Sequence, residues 1–269
     1  MSAQNRRAEH IHSAKQVWGS IDERVLSAKA WPVLLYGPVG TSKTSRTILY
    51  ASRLKIEREK FQCTNDSYDA ELLALPTIRG VRPQAGVRCL QGGKMLVLDD
   101  VHELQGSALG ALYLLCDDPH LIQFKTLDGA DVEAHPNYRV ILTSNQRPDN
   151  LPLPVKDRVI PIWTPMPCPE AIRAAYTKAH TAEKKALVEC VVEGYRAFVE
   201  KGPTTIKGGE WEVLVSFRDA LKVLDLAEDT NNGDVRTVLA NVVPGLDRSS
   251  HPFWEAFEVA LIGVKESAA

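Results

Sequence analysis

Continuous apolar runs of strand length alternate along the chain with stretches in which apolar residues recur at helical spacing. The runs lie at Val33–Tyr36, Met95–Leu98 and Tyr138–Thr143, and each is followed by glycine or polar residues. Runs without alternation are typical of strands buried on both faces of a parallel sheet. Helical spacing is found at Ala14–Ala28, at Ser45 to about Arg58 and at Gln105–Cys116. The pattern therefore predicts an α/β domain with a central parallel sheet.

Shorter elements complete the expected domain. We interpret Lys60–Thr64 as a short second strand and Asn65–Ala74 as a turn with a short helix. The segment Thr77–Gly93 is rich in Gly, Arg and Pro, and we expect it to be a loop or insertion rather than a core element. Leu121–Glu133 has the pattern of a hairpin, and Val159–Ile162 is the expected last strand of the sheet.

A change of composition marks a predicted domain boundary. Pro165, Pro167 and Pro169 interrupt the pattern, and beyond them the chain has helical periodicity. We divide the chain into a helical lead-in (1–30), an α/β nucleotide-binding domain (31–166) and a helical lid (167–269). The helices expected in the lid are Thr181–Glu200, Ser216–Leu226, Asp234–Val242 and Phe253–Val264.

Composition narrows the class of protein. The chain has 269 residues, of which 44% are hydrophobic, and it carries 32 Lys and Arg against 34 Asp and Glu. Such a balance gives no global attraction to nucleic acid or to an anionic membrane. The five cysteines are scattered and lack metal-binding spacing. The polar N-terminus lacks the apolar core of a secretory signal, and no run has the length of a membrane helix. We therefore expect a cytoplasmic protein that does not enter a membrane.

The loop after the first strand has the composition of a phosphate-binding loop. Gly37 and Gly40 let backbone N–H groups approach phosphate oxygens, and the following helix offers free N–H groups to an anion. Lys43 supplies a cation for the β- and γ-phosphates, and Thr44 supplies a hydroxyl for Mg²⁺. Ser42 stands where glycine is usual, and a positive φ there would cost roughly 1 kcal/mol. The alternative is a Gly/Pro turn that happens to precede Lys-Thr. The predicted nucleotide-binding residues of this loop are Gly37, Pro38, Val39, Gly40, Thr41, Ser42, Lys43, Thr44 and Ser45.

A second group of polar residues follows the next two buried strands. Asp99 and Asp100 end one strand, and Asn145 follows the other. Ligands of open α/β sheets bind at this carboxyl edge. We expect Asp99 to hold Mg²⁺ through water together with Thr44, Asp100 to activate the attacking water, and Asn145 to hold that water or a γ-phosphate oxygen. The alternatives are an acidic strand cap and a turn asparagine.

The motifs form an ordered series. They are Gly37–Thr44 (Walker A), Gln62–Thr64 (strand two), Leu98–Asp100 (Walker B), Glu133–Arg139 leading to Asn145 (sensor 1), Asp157–Arg158 (arginine finger) and Ser216–Arg218 (sensor 2). This series resembles that of AAA+ ATPases, and within them the MoxR group, especially its CbbQ/NirQ/GvpN branch. The resemblance spans roughly Val33–Val243.

The resemblance implies the fold and the assembly. It implies a P-loop core with a small all-helical lid, with Arg218 contacting nucleotide from the lid. Arg158 would be a finger that completes a neighbour's site, and Arg147 is the other finger candidate. Members of the group form rings, usually hexamers, that bind ATP and Mg²⁺ and remodel or activate a partner protein. Such partners often carry a von Willebrand A domain, which we expect on a separate chain.

Two other functions stay open at this stage. Arg79, Arg82 and Arg88 are compatible with a motor that acts on DNA or RNA, with contacts to a pore or a partner protein, or with a plain solvated loop, and the balanced charge disfavours the motor. Asp100 stands where the group has glutamate, and Ser42 replaces glycine, which favours a nucleotide-dependent scaffold with slow turnover. Stimulation of ATP hydrolysis by DNA, with a steep dependence on salt, would identify the first.

Overall fold

The computed structural model describes residues 19–78, 80–118, 120–126, 129–175, 182–201, 204–205 and 211–212, and positions 220, 224 and 256. Its centre is a five-stranded sheet in which every pairing is parallel. The strands are β1 (Val33–Tyr36), β2 (Arg58–Gln62), β5 (Met95–Asp99), β8 (Arg139–Ser144) and β9 (Ile160–Trp163). Their order across the sheet is β2-β5-β8-β1-β9. The predicted α/β fold with a parallel sheet is confirmed.

Among the described residues, three antiparallel strand pairs lie outside this sheet. They are β3 (Ala74–Thr77) with β4 (Gly80–Pro83), β6 (Gln123–Lys125) with β7 (Asp131–Glu133), and β10 (Thr204–Thr205) with β11 (Trp211–Glu212). The second pair is the hairpin expected within Leu121–Glu133.

Helices cover both faces of the sheet. In chain order they are α1 (19–27), α2 (Lys43–Leu54), α3 (Asp69–Leu72), α4 (Ala85–Gly92), α5 (Ser107–Leu115), α6 (Leu153–Lys156), α7 (Glu170–Ala175) and α8 (Ala182–Lys201). Short 3-10 turns follow β5 (Val101–Glu103) and β8 (Pro148–Asn150). Among the helices that the structure describes, none combines the length and hydropathy that a membrane span needs.

The alternation of side chains along each strand divides the core into two layers. Met95 and Val97 of β5 pack with α1 and α2 in one cluster, through residues such as Val25 and Tyr50. Leu96 and Leu98 point to the opposite face and pack with α3, α4 and α5. Because both faces are covered, every residue of β5 is buried. This burial explains why the strand is a continuous apolar run in the sequence.

The expectation that Thr77–Gly93 is a loop is wrong for most of its length. Its second half is helix α4, in which Val87, Cys89 and Leu90 are fully buried in the core. Gly93 adopts φ 64° and ends the helix in a left-handed cap. The Gly, Arg and Pro content of the segment outweighs the signal of a short helix, whose apolar side packs against the sheet.

The region expected to be an all-helical lid is not entirely helical. Helices α7 and α8 are present, but the two-residue strands β10 and β11 follow them. Thr204, Thr205 and Trp211 have side chains that favour extended backbone, which accounts for the pairing. The later predicted helices lie outside the described residues, apart from three helical positions, Ala220, Leu224 and Ala256.

Candidate functional site

The carboxyl ends of three central strands bring the predicted site residues to one edge of the sheet. Tyr36, the last residue of β1, is in register with Ser144 at the end of β8. Leu98 of β5 is in register with Leu142 of β8, so the turn after β5 opens at the same edge. The loop after β1, Asp99 with Asp100, and Asn145 therefore meet there, as ligand-binding residues do in parallel α/β sheets.

The loop after β1 has the backbone of an anion cradle. Gly37, Gly40 and Ser42 all have positive φ, at 149°, 79° and 64°. A Cβ atom on Gly37 would lie 2.3 Å from the carbonyl oxygen of Thr164, so only glycine fits. Ser42 is the N-cap residue of α2, yet its side chain makes no capping hydrogen bond. The left-handed position therefore carries serine at a backbone cost of about 1 kcal/mol.

Lys43 begins helix α2 and points back into the loop. Its Nζ donates hydrogen bonds to the carbonyl oxygens of Gly37 and Pro38, both at 2.8 Å, and to Oδ1 of Asn145 at 2.9 Å. Burial lowers the pKa of Lys43 to about 8, against the opposing attraction of Asp100 and Asp99. The ammonium is thus bound by neutral acceptors. A phosphate at the same place would be a stronger acceptor because it is charged.

Asp99 is a buried carboxylate with three donors. Its Oδ1 accepts hydrogen bonds from Thr44 at 2.5 Å and from Thr143 at 2.6 Å, and its Oδ2 lies 2.7 Å from Nζ of Lys60. Burial acts to raise the pKa of Asp99, but the hydrogen bonds from Lys60, Thr143 and Thr44 hold it below its ordinary value. The carboxylate is therefore kept ionised next to the hydroxyl of Thr44.

Asp100 lies in a left-handed turn, with φ 58° and ψ 49°. Its Oδ1 accepts a hydrogen bond from Nδ2 of Asn145 at 3.0 Å, and its Oδ2 accepts one from Nε2 of Gln62 at 3.1 Å. Asn145 thus contacts Lys43 with its oxygen and Asp100 with its nitrogen. One amide links the cation of the loop to the candidate general base.

These residues fit a Mg²⁺-nucleotide. The cradle of positive-φ residues presents backbone N–H groups to an anion, and Lys43 adds a positive charge. The hydroxyl of Thr44 and the carboxylate of Asp99 are hard oxygen donors, which Mg²⁺ prefers. Within the described residues no three His, Cys, Asp or Glu side chains form a metal site of their own. A metal held by few protein ligands together with phosphate oxygens is the usual arrangement for Mg²⁺.

Comparison with known proteins identifies the domain. Residues 32–159 match the AAA domain family, dynein-related subfamily. This part of the chain is an AAA+ domain. The chain is 30% identical over 131 residues to the denitrification regulatory protein NirQ of Pseudomonas aeruginosa, across 46% of this chain and 50% of NirQ. The chain therefore spans about half the length of that relative. The predicted AAA+ type is confirmed, and the similarity to NirQ agrees with the MoxR group predicted from the motif series.

A solved structure shares the AAA+ fold. The RuvB Holliday junction branch migration motor of Thermotoga maritima matches with a TM-score of 0.50 and 15% identity, over 90% of this chain and 70% of RuvB. At this identity the likeness concerns the fold alone. The strand order β2-β5-β8-β1-β9 places the loop after β1 between the strand that leads to Asn145 and the last strand of the sheet.

A cavity of about 500 Å³ adjoins the AAA+ site. Asp100 and Asn145 form part of its wall, so the cavity opens beside the candidate base. Glu103 also lines it, and Oε1 of Glu103 lies 3.3 Å from Nε2 of His102. The remaining lining residues are Val39, Gln62, Cys63, Thr64, Asn65, Asp66 and His102. The carboxylates around this space suit a cationic group rather than a second anion.

The three arginines proposed from the resemblance are placed differently from the loop residues. Arg158 precedes β9, whose Ile160 pairs with Val33 at the start of β1, so it lies at the amino edge of the sheet, opposite the nucleotide site. It donates to the carbonyl of Pro154 at 3.0 Å and lies 3.6 Å from Asp117. Arg147 is exposed two residues after Asn145. Arg218 lies outside the described residues.

Sequence reasoning missed several residues that hold the site together. Lys60 and Thr143 bind Asp99, and Thr164 packs against the phosphate loop through Gly37 and Thr41. Gln62, which the sequence indicates only as part of a motif, binds Asp100. A signal for Lys60 and Gln62 is present in β2, where the period of two places both on one face of the strand.

Proposed function

We propose that the protein binds Mg²⁺-ATP and hydrolyses it. The observation that carries this proposal is the hydrogen-bonded series Lys43–Asn145–Asp100, which lies next to the pair Thr44–Asp99. This arrangement holds a phosphate cation, a candidate base and a metal-binding pair in fixed relation. A Gly/Pro turn with a purely structural role would not require these contacts with the acidic turn after β5.

Each side chain has a distinct role in the proposed reaction. Lys43 exchanges its carbonyl partners for phosphate oxygens, since a charged acceptor binds an ammonium more strongly than a neutral one. Thr44 and Asp99 hold Mg²⁺, which when bound neutralises charge on the phosphates. Asp100 accepts a proton from the attacking water. Asn145 orients Asp100, and it senses Lys43 because both contacts belong to the same amide.

We further propose that the protein acts as a ring, a hexamer as is usual in its group, and remodels or activates a partner protein. In this ring Arg158 reaches the site of a neighbouring subunit, which is consistent with its position far from the site of its own chain. The β3–β4 hairpin supports a contact with a partner, because Ile78 at its tip is fully exposed. A partner with a von Willebrand A domain and a cytoplasmic location stay predictions from the resemblance.

The alternative of a DNA or RNA motor loses part of its support. Arg88 is bound to Glu59, with N–O distances of 2.7 and 3.1 Å, so its charge is already matched. Arg82 is exposed. Arg79 lies outside the described residues. The alternative of a nucleotide-dependent scaffold with slow turnover is supported by Asp100 and Ser42. A measured rate of ATP hydrolysis distinguishes it from an active ATPase.

Two substitutions test the proposed function. Lys43→Ala should abolish ATP binding, because the cation for the phosphates is lost from a buried site. Asp100→Asn should preserve ATP binding and slow hydrolysis by about 10²- to 10⁴-fold, the range for a general base. Fluorescent-nucleotide binding and phosphate release measure the two effects separately.

A matched control distinguishes the base from the local charge. Asp66 lines the same cavity as Asp100, is exposed and lies outside the hydrogen-bonded series. Asp66→Asn should therefore leave both binding and turnover near their original values. Unchanged turnover in Asp100→Asn would move the base elsewhere, and Glu103 is then the next candidate.

A further inference from the structure

One face of strand β2 carries three polar donors in succession. Arg58 donates to Thr47 of the P-loop helix at 2.9 Å, Lys60 to Asp99 at 2.7 Å, and Gln62 to Asp100 at 3.1 Å. They point the same way because side chains alternate along a strand. Only the second of them places a positive charge directly on the carboxylate that is expected to hold Mg²⁺.

We propose that Lys60 is a positioning residue that sets the Mg²⁺ concentration at which this AAA+ site takes up nucleotide. Its ammonium pairs with Oδ2 of Asp99 when the metal is absent and opposes the metal electrostatically when it arrives. The inference rests on the proposed function, because it concerns the affinity of that same site.

The contacts of Asp99 support this role. Its Oδ1 is held by Thr44 and Thr143, whereas its Oδ2 is held by Lys60 alone among the described side chains that donate to it. The carboxylate is therefore already oriented on the side of Thr44 without the lysine. The contribution specific to Lys60 is its charge.

The solvent exposure of Lys60 and Asp99 determines how strongly the charge of Lys60 affects Mg²⁺ affinity. The side chain of Asp99 is 9% exposed and that of Lys60 is 38% exposed, so water screens the lysine in part. A unit charge and a divalent charge held by one carboxylate repel each other, even at the dielectric constant of water, by an amount that corresponds to about tenfold in affinity. Neutralising Lys60 should strengthen Mg²⁺ binding by roughly this factor.

The experiment uses substitutions that separate charge from hydrogen bonding. Lys60→Gln removes the charge and keeps a donor, Lys60→Met removes both, and Lys60→Arg keeps the charge. Arg58→Gln is the matched control, because it removes a cation from the same strand face without touching Asp99. Binding of a fluorescent ATP analogue to the full chain is measured over a series of Mg²⁺ concentrations, and the midpoint in Mg²⁺ is compared.

We expect the Mg²⁺ midpoint to fall about tenfold in Lys60→Gln, and in the same direction in Lys60→Met. Lys60→Arg and Arg58→Gln should keep the original midpoint. An unshifted midpoint in both neutral variants would overturn the inference while leaving the proposed function intact, and so would an equal shift in Arg58→Gln. Failure of the unaltered protein to bind nucleotide at any Mg²⁺ concentration would overturn the proposed function and this inference with it.

Discussion

Ser42 offers a test of the phosphate loop that does not depend on catalysis. It occupies a left-handed backbone position, with φ 64° and ψ 21°, immediately before Lys43, and its side chain makes no capping hydrogen bond. Replacing Ser42 with glycine removes the steric conflict of the Cβ atom and sacrifices no cap. We therefore expect Ser42→Gly to stabilise the folded protein. At helix positions with right-handed backbone, by contrast, glycine usually destabilises.

The magnitude follows from two opposing terms. A left-handed conformation costs an L-residue roughly 1–2 kcal/mol. Glycine loses more backbone entropy on folding, which costs about 0.5–1 kcal/mol. The expected net gain in the free energy of unfolding is therefore about 0.5–1 kcal/mol, which corresponds to a rise in Tm of about 1–4 °C for a domain of this size.

Urea unfolding followed by circular dichroism measures this gain, and two variants serve as controls. Ser42→Ala should change the free energy of unfolding by less than about 0.5 kcal/mol, since neither residue relieves the backbone strain and no cap is lost. Ser45→Gly, in the exposed first turn of α2, should destabilise by about 0.5–1 kcal/mol, because that position is right-handed. A Ser42→Gly protein as unstable as Ser45→Gly would refute the assignment of strain to position 42.

Two further predictions concern charge. The pKa of Lys43, lowered from 10.5 to about 8, means that the folded state binds fewer protons than the unfolded state between these values, so this residue makes the nucleotide-free protein more stable as pH rises from about 8 to 10.5. Nucleotide affinity should fall over the same range, as a fluorescent ATP analogue can report; a flat profile would contradict a charged role for Lys43. Arg158→Ala should retain ATP binding and lose turnover, and mixing it with Lys43→Ala should restore partial activity if rings form. If Arg158→Ala and Lys43→Ala do not complement each other, whereas Arg147→Ala mixed with Lys43→Ala recovers activity, Arg158 is excluded as the finger.

Much of the fold follows from the sequence because buried parallel strands leave a strong local signal. The runs that became β1, β5 and β8 are apolar at consecutive positions, since helices cover both faces of the sheet. The phosphate loop is equally local, because its glycines, Lys43 and Thr44 are consecutive in the chain. Helix α4 was missed because its eight residues carry too little periodicity to outweigh the surrounding Gly, Arg and Pro.

The sequence by itself determined the chemical types at the site and the order in which the chain supplies them. The tertiary structure alone decided that Asn145 touches both Lys43 and Asp100, that Thr164 closes over Gly37, and that Lys60 meets Asp99. The physical reason is that these contacts join residues far apart in the chain through the register of parallel strands. That register depends on how the whole sheet packs, whereas loop and helix signals depend only on neighbouring residues.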